Sequence, residues 1–167
     1  MAHTCVYDTM VHRQHVISQM RLLAEKILKL QIGWNERPLS EDDLIGICNR
    51  FGITVDEQPL GVAGFYYRVL GRDFIAVDSR LRWPEKLGVL FHELGHFLLH
   101  APRTGPAAGF HGVGRSTRKE READAFALCA LIPKLWIESR SVHDLIDGGF
   151  ATEMIAARFE IYEHYGI

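Results

Sequence analysis

The chain has 167 residues, a formal net charge of −2 and 47 % hydrophobic residues. These values are typical of a globular protein with its own core, and they exclude an intrinsically disordered chain. The near-neutral charge gives no general attraction to nucleic acid or to an anionic membrane, so we expect neither as a direct partner.

The cysteines and the ends of the chain bear on its compartment. Cys5, Cys48 and Cys129 are odd in number, lie far apart and form no CxxC pair. This pattern argues against a disulfide framework or a thiolate zinc site and indicates thiols in a reducing compartment. No long apolar run and no secretory signal is evident. The cytoplasm is therefore the expected location.

Two helices are predicted before residue 52. Apolar residues at spacings of three and four predict an amphipathic helix over residues 10–31. Ser40, followed by three acidic residues, has the pattern of a helix cap. The helix that it begins is expected to run to about Phe51, with Gly52 at its exit.

A β section follows. Ile53–Glu57 is predicted as a short strand. Residues 63–70 and 74–79 are predicted to pair as a hairpin, with the turn at residues 71–73.

The second half of the chain is predicted to be mainly helical. Pro84 suits the first turn of a long helix that ends near His100. Residues 101–116 are rich in proline and glycine and are predicted as a loop. Three more helices are predicted, over residues 117–131, 141–147 and 152–165.

The segment from His92 to His96 reads HELGH, an HExxH motif on a predicted helix. Because each helical residue turns about 100°, the two histidines lie one turn apart on one face, where both can bind one metal ion. Glu93 can then act on a water as a general base. The apolar residues of this helix fall on the opposite face, so one side is expected to be buried and the other to carry the site.

A catalytic zinc needs three protein ligands and one open position. His100 lies about 12 Å along the helix from the first histidine, too far to share its ion. Pro102 occupies the place of the third histidine of an HExxHxxGxxH motif. Glu120 is the better candidate, since it begins the stretch EREAD on a predicted helix. His111, in the glycine-rich loop, stays open as an alternative.

Asp124 lies one turn after Glu120 and is expected to orient a ligand histidine through its second ring nitrogen. Ala123 and Ala127 beside these acids would let the two helices approach closely. A solvated charged face is the alternative interpretation of the same stretch. Glu122 points elsewhere on the helix and is expected to be a surface acid.

Two segments together resemble the ImmA/IrrE family of metallopeptidases. Residues 88–100 read GVLFHELGHFLLH, and residues 120–133 read EREADAFALCALIP. An HELGH helix followed by an ExxA helix is typical of that family, and the resemblance extends over about residues 40–167. The sequence departs from the family where Asp124 replaces a frequent Asn, and in a longer connection over residues 101–116.

The resemblance implies a zincin-like α+β fold of the gluzincin kind, with a small antiparallel or mixed sheet packed on the HExxH helix and several further helices. It also implies Zn²⁺ held by His92, His96 and Glu120, with Glu93 as the base. The implied activity is cytosolic cleavage of a partner protein, often a helix-turn-helix repressor. We expect a single metallopeptidase domain over residues 1–167, made of an N-terminal helix (10–31), a catalytic core (40–140) and a C-terminal helix pair (141–167).

Hydrolysis also calls for a donor that stabilises the oxyanion. Five side chains are candidates for this donor: Tyr66, Tyr67, His100, His111 and Arg121. The strands of the predicted hairpin are expected to offer an edge along which an extended substrate can pair.

Two rival functions are weighed against the peptidase. The first is a peptidase-like regulator that binds a repressor without cutting it, against which the intact Glu93 argues. The second is a DNA-binding protein built on the C-terminal helix pair, whose outline is similar to a helix-turn-helix. That pair carries five acids, while Arg158 is its only arginine after Arg140, so its charge disfavours contact with phosphates.

Overall fold

The computed structural model describes residues 20–102, 105, 107–110 and 117–167. Residues 20–28 are the described part of helix α1; the predicted start of this helix at residue 10 lies outside the described residues. The other elements are α2 (Glu41–Phe51), β1 (Ile53–Gln58), β2 (Gly64–Val69), β3 (Arg72–Asp78), α3 (Glu85–His100), β4 (Ala107–Phe110), α4 (Arg118–Leu131), α5 (Lys134–Ser139), α6 (Val142–Asp147) and α7 (Thr152–Tyr165).

The four strands form one mixed sheet in the order β1-β3-β2-β4. β2 and β3 form an antiparallel hairpin, β1 runs parallel to β3, and β4 runs antiparallel to β2. Tyr66, Ile75 and Val77 are buried on the side of the sheet that joins the core with α3. The predicted α+β fold, with a small mixed sheet against the HExxH helix, is confirmed.

The hairpin turn differs from the prediction. Its central residues are Leu70 and Gly71, both with positive φ (50° and 74°), and Arg72 and Asp73 already belong to β3. A two-residue turn of this kind has a twist that matches the flanking strands. The carboxylate of Asp73 accepts hydrogen bonds from Tyr66 and Arg68, which holds it in the sheet. The predicted turn at residues 71–73 is therefore displaced toward the N-terminus.

The predicted loop over residues 101–116 contains strand β4. Because β4 pairs with β2 and β1 pairs with β3, both hairpin strands lie inside the sheet. The expectation that the hairpin offers a free edge is therefore wrong, and the edges are β1 and β4. The four residues of β4 read AAGF, which shows no alternation of polar and apolar residues by which a strand is recognised.

The predicted helices agree with the structure better than the predicted hairpin turn and sheet edge do. Ser40 caps α2 through reciprocal hydrogen bonds with Asp43, and the predicted helices at residues 84–100, 117–131, 141–147 and 152–165 are α3, α4, α6 and α7. Pro133 follows the end of α4 as predicted, but it also precedes the short helix α5, which the sequence did not predict.

Segments from both ends of the described chain support α4. The indole of Trp34 donates a 2.8 Å hydrogen bond to the carbonyl of Phe126. The fully buried Arg158 on α7 donates to the carbonyl of Ile132 and to the side chain of Asn35. These contacts fix the position of the helix that carries Glu120. No helix within the described part of the chain combines the length and apolarity that crossing a bilayer requires.

Candidate metal centre

The candidate centre lies where α3 and α4 pack side by side. Gly95 allows this approach, because a Cβ at that position would lie 3.1 Å from Cδ1 of Phe126 and 3.3 Å from Cα of Ala123. A glycine inside a helix costs about 1 kcal/mol relative to alanine. Here the close contact of two helices accounts for it, which agrees with the approach predicted from Ala123 and Ala127 of α4.

Three side chains converge at this crossing: His92 and His96 of α3 and Glu120 of α4. The Nε2 atoms of the two imidazoles are 3.0 Å apart. Oε2 of Glu120 lies 3.3 Å from Nε2 of His92, and its Oε1 lies 3.2 Å from Nε2 of His96. Both histidines are buried, and Glu120 is half-buried. The structure thus brings together the three residues predicted as ligands.

The chemistry of these atoms fits a metal ion. Asp124 faces Nδ1 of His92 at 2.8 Å, which places a proton on that nitrogen and a lone pair on Nε2 when the ring is neutral. Lone pairs of the imidazole and of the Glu120 carboxylate then point into one small space. Such a cluster of acceptors is stabilised when a cation lies between them.

The distances and the donor set also suit zinc. Two ligand atoms bound tetrahedrally at about 2.0–2.2 Å lie about 3.3–3.5 Å from each other, close to the 3.0–3.3 Å separations found here. Two imidazoles and one carboxylate form a set that zinc accepts while keeping one coordination position open.

Glu93 is fully buried beside this centre. Its Oε2 accepts a 2.8 Å hydrogen bond from the backbone N–H of Tyr66. Its Oε1 has no hydrogen-bond partner among the described residues. Burial raises the pKa of Glu93 to about 7, while the nearby His92 opposes that rise. The carboxylate is therefore held at one oxygen and free to exchange a proton at the other.

The closeness of β2 to α3 depends on Gly64. A Cβ at Gly64 would lie 2.6 Å from the side chain of Val89 and 2.9 Å from the carbonyl of Ala76. Only glycine therefore lets β2 lie against α3 so that the Tyr66 N–H reaches Glu93. Sequence reasoning missed both this glycine and this backbone donor, since a single glycine in a strand marks a close approach without naming the neighbour.

Asp124 lies where its predicted role requires, 2.8 Å from Nδ1 of His92. Burial lowers the pKa of His92, but the hydrogen bond to Asp124 and the charges of Glu93 and Glu120 outweigh it and raise that pKa overall. The carboxylate of Asp124 is thus able to orient the ring of His92.

The prediction that Glu122 is a surface acid is wrong. Glu122 is buried and lies between two partners, Nε2 of His100 at 2.9 Å and Nε of Arg118 at 2.7 Å. Position on the helix alone could not reveal this, because the pairing depends on His100 arriving from α3. His100 itself is half-buried and does not belong to the group of converging ligand atoms, in agreement with its exclusion as a ligand.

Four of the five candidates for the oxyanion donor lie within the described residues. The hydroxyl of Tyr66 donates to Asp73 at 2.7 Å, and His100 is bound to Glu122, so neither side chain points a free donor at the centre. His111 lies outside the described residues. Tyr67 stacks on Phe74 on the sheet. Tyr67, His111 and Arg121 stay predictions.

A largely apolar cavity of about 350 Å³ lies next to the centre. His92 and Asp124 form part of its wall, and α3, α4 and α7 supply the rest, including Val89, Leu128 and Met154. The centre is thus bordered by a space large enough to hold a side chain from another molecule.

The family model described as the IrrE N-terminal-like domain matches residues 48–162 of the chain. The matched stretch contains α3 and α4 and every residue of the candidate centre. No curated protein and no solved structure shows significant similarity to the chain.

Proposed function

The chain belongs to the peptidase family of IrrE N-terminal-like domains, and from this premise we propose that it is a zinc-dependent endopeptidase of the gluzincin type. The convergence of His92, His96 and Glu120 on one point is the observation that carries the proposal. These residues are the proposed zinc ligands, and Glu93 is the proposed general base.

When bound, zinc supplies Lewis-acid polarisation of the scissile carbonyl and promotes the ionisation of water. Oε1 of Glu93, which has no partner among the described residues, takes the proton from the attacking water. The same oxygen then donates that proton to the leaving amine nitrogen. The Tyr66 N–H holds Oε2 throughout and keeps the carboxylate aimed at the substrate.

We propose a helix-turn-helix repressor as the substrate and the cytoplasm as the location, because the resemblance of the two central helices to ImmA/IrrE peptidases implies both. Direct DNA binding through α6 and α7 is not part of the proposal. Arg158, the arginine of that helix pair, is fully buried and donates to backbone carbonyls, so phosphate cannot reach it.

The proposal is tested with the purified chain and Glu93→Gln. Zinc content is measured by elemental mass spectrometry. Cleavage is measured by mass spectrometry of the peptides released after incubation with repressors encoded next to the gene for this chain. We expect about one zinc per chain in both proteins and cleavage by the wild type alone.

Two results would contradict this proposal in different ways. Equal cleavage by Glu93→Gln would remove Glu93 from the mechanism. Stoichiometric zinc without cleavage of any repressor, but with formation of a stable complex, would favour the non-cleaving regulator.

A further inference from the structure

Three histidines on α3 follow one another at every fourth residue: His92, His96 and His100. The first two belong to the proposed metal centre. The third lies beyond it, with its Nδ1 atom 3.3 Å from Nδ1 of His96. The nitrogen of His96 that does not face the centre therefore has an imidazole partner.

The contacts of His100 continue into α4. Its Nε2 lies 2.9 Å from Oε2 of Glu122, and Oε1 of Glu122 accepts a 2.7 Å hydrogen bond from Nε of Arg118. A line of polar contacts thus runs from His96 through His100 to a buried carboxylate.

The proton positions along this line follow from its two ends. A carboxylate accepts hydrogen bonds, so Nε2 of His100 carries a proton and, in the neutral ring, Nδ1 does not. Nδ1 of His100 can then only accept, which requires the proton of His96 on its own Nδ1. The lone pair of His96 is left on Nε2, the atom 3.2 Å from Glu120.

The surroundings keep this line intact. The side chains of His100 and Glu122 are only 10 % and 11 % exposed, so most of the surface of each is in contact with protein.

We propose that His100 and Glu122 are positioning residues for the metal centre. Glu122 holds the proton of His100 on Nε2, so Nδ1 of His100 accepts a hydrogen bond from Nδ1 of His96 and fixes the tautomer and orientation of the His96 ring. We call this line of contacts from Glu122 through His100 to His96 the relay. This inference rests on the proposed metal site but not on the peptidase activity. Outer partners of a ligand histidine typically change metal affinity by about 10–100-fold when they are removed.

The test compares zinc affinity with the stability of the metal-free protein. His100→Phe keeps a planar aromatic ring and removes both nitrogens, and Glu122→Gln keeps an acceptor for His100. His143→Phe is the matched control, because His143 is exposed on α6 and lies 3.4 Å from Asp147, away from the centre. Zinc affinity is measured by competition with a chromophoric chelator, and the unfolding temperature is measured after zinc removal.

We expect His100→Phe to weaken zinc binding by about tenfold or more and Glu122→Gln to weaken it less. His143→Phe should leave it unchanged. A purely structural role would lower the unfolding temperature of the metal-free protein without changing zinc affinity, so equal affinity in folded His100→Phe would overturn the inference. Absence of zinc binding by the wild type would overturn both the inference and the metal site.

Nitrogen-15 NMR of the imidazoles gives a second measurement that needs no variant. The relay predicts that zinc-loaded wild-type protein has His100 protonated on Nε2 and His96 protonated on Nδ1. A proton on Nδ1 of His100 would break the line of contacts at its centre and refute the relay. This measurement decides the question even when His100→Phe does not fold.

Discussion

The two histidines of the candidate centre are supported in different ways. His92 meets a carboxylate directly, since Asp124 lies 2.8 Å from its Nδ1. Nδ1 of His96 reaches a carboxylate only through His100, whose other nitrogen contacts Glu122. The side chain of Asp124 is 53 % exposed, whereas that of Glu122 is 11 % exposed.

This difference decides how easily each support can be replaced. Water can reach Nδ1 of His92 when Asp124 is removed, because the acid itself lies in water on one side. The contacts from His96 to Glu122 are largely buried between α3 and α4, where the loss of one partner leaves a buried polar atom unsatisfied at greater cost than at an exposed site. We therefore expect the direct support to be tolerant of substitution and the relayed support to be sensitive.

The largest effect is expected from the residue on which both supports depend. Glu120 contacts both ligand histidines, so Glu120→Ala should abolish stoichiometric zinc binding whichever support is intact. Zinc content after dialysis measures this, with Glu163→Ala as the control because Glu163 is exposed on α7. Zinc retained at one equivalent in Glu120→Ala would mean that another residue is the third ligand.

The next largest effect comes from separating α3 and α4. Gly95→Leu forces a side chain against Phe126 and Ala123, and overpacking of this kind costs about 1–3 kcal/mol in the free energy of unfolding. Both supports cross this contact, so zinc affinity should fall as well.

Gly46→Leu is the matched control for that change. Gly46 is inside helix α2 with no atom within 4 Å of an added Cβ, so the substitution should be neutral or slightly stabilising. Urea unfolding of the metal-free proteins measures both variants. Equal stability of the two would show that the helices separate at little cost and that the contact does not set the geometry.

Glu122→Ala and Asp124→Ala each remove the carboxylate that supports one of the two ligand histidines. Loss of Glu122 leaves the buried N–H of His100 without an acceptor and should cost about 1–3 kcal/mol of unfolding free energy in the metal-free protein. Loss of Asp124 should cost about 1 kcal/mol or less, since water takes its place. Denaturant titration of both variants measures the difference, and a larger loss in Asp124→Ala would reverse the assignment of the tolerant support.

The part of the centre that follows from helical periodicity could be predicted from the sequence. The spacing of His92 and His96 fixes them on one face of a helix, and Glu120 and Asp124 repeat the same spacing on another. The two pairs are joined by the close packing that Gly95 allows, and Ala123 and Ala127 of α4 indicated this approach.

The features that the sequence analysis predicted wrongly or missed depend on which helices and strands contact each other. Glu122 is on the buried side of α4 only because His100 comes to it from α3. The Tyr66 N–H reaches Glu93 only because Gly64 lets the sheet approach the helix. Strand β4 exists through its pairing with β2 and shows no pattern of its own. A single sequence carries no direct record of such pairings.

The smallest effect is expected at the outer end of the relay. Arg118 donates to Glu122 at 2.7 Å, but its own side chain is 62 % exposed. Exposed ion pairs one turn apart on a helix contribute about 0.3–0.5 kcal/mol. Arg118→Gln should therefore lower stability by about that amount and change zinc affinity by about twofold or less.

Chelator competition on Arg118→Gln also sharpens what the relay needs. If only the acceptor oxygen of Glu122 matters, the carboxylate keeps its bond to His100 and zinc affinity is nearly unchanged. A loss as large as that expected for His100→Phe would mean that the guanidinium orients Glu122. The contacts that support His96 would then extend from the buried His100 to the exposed Arg118 on the surface of α4. The two ligand histidines would then differ less in how exposed their supporting residues are.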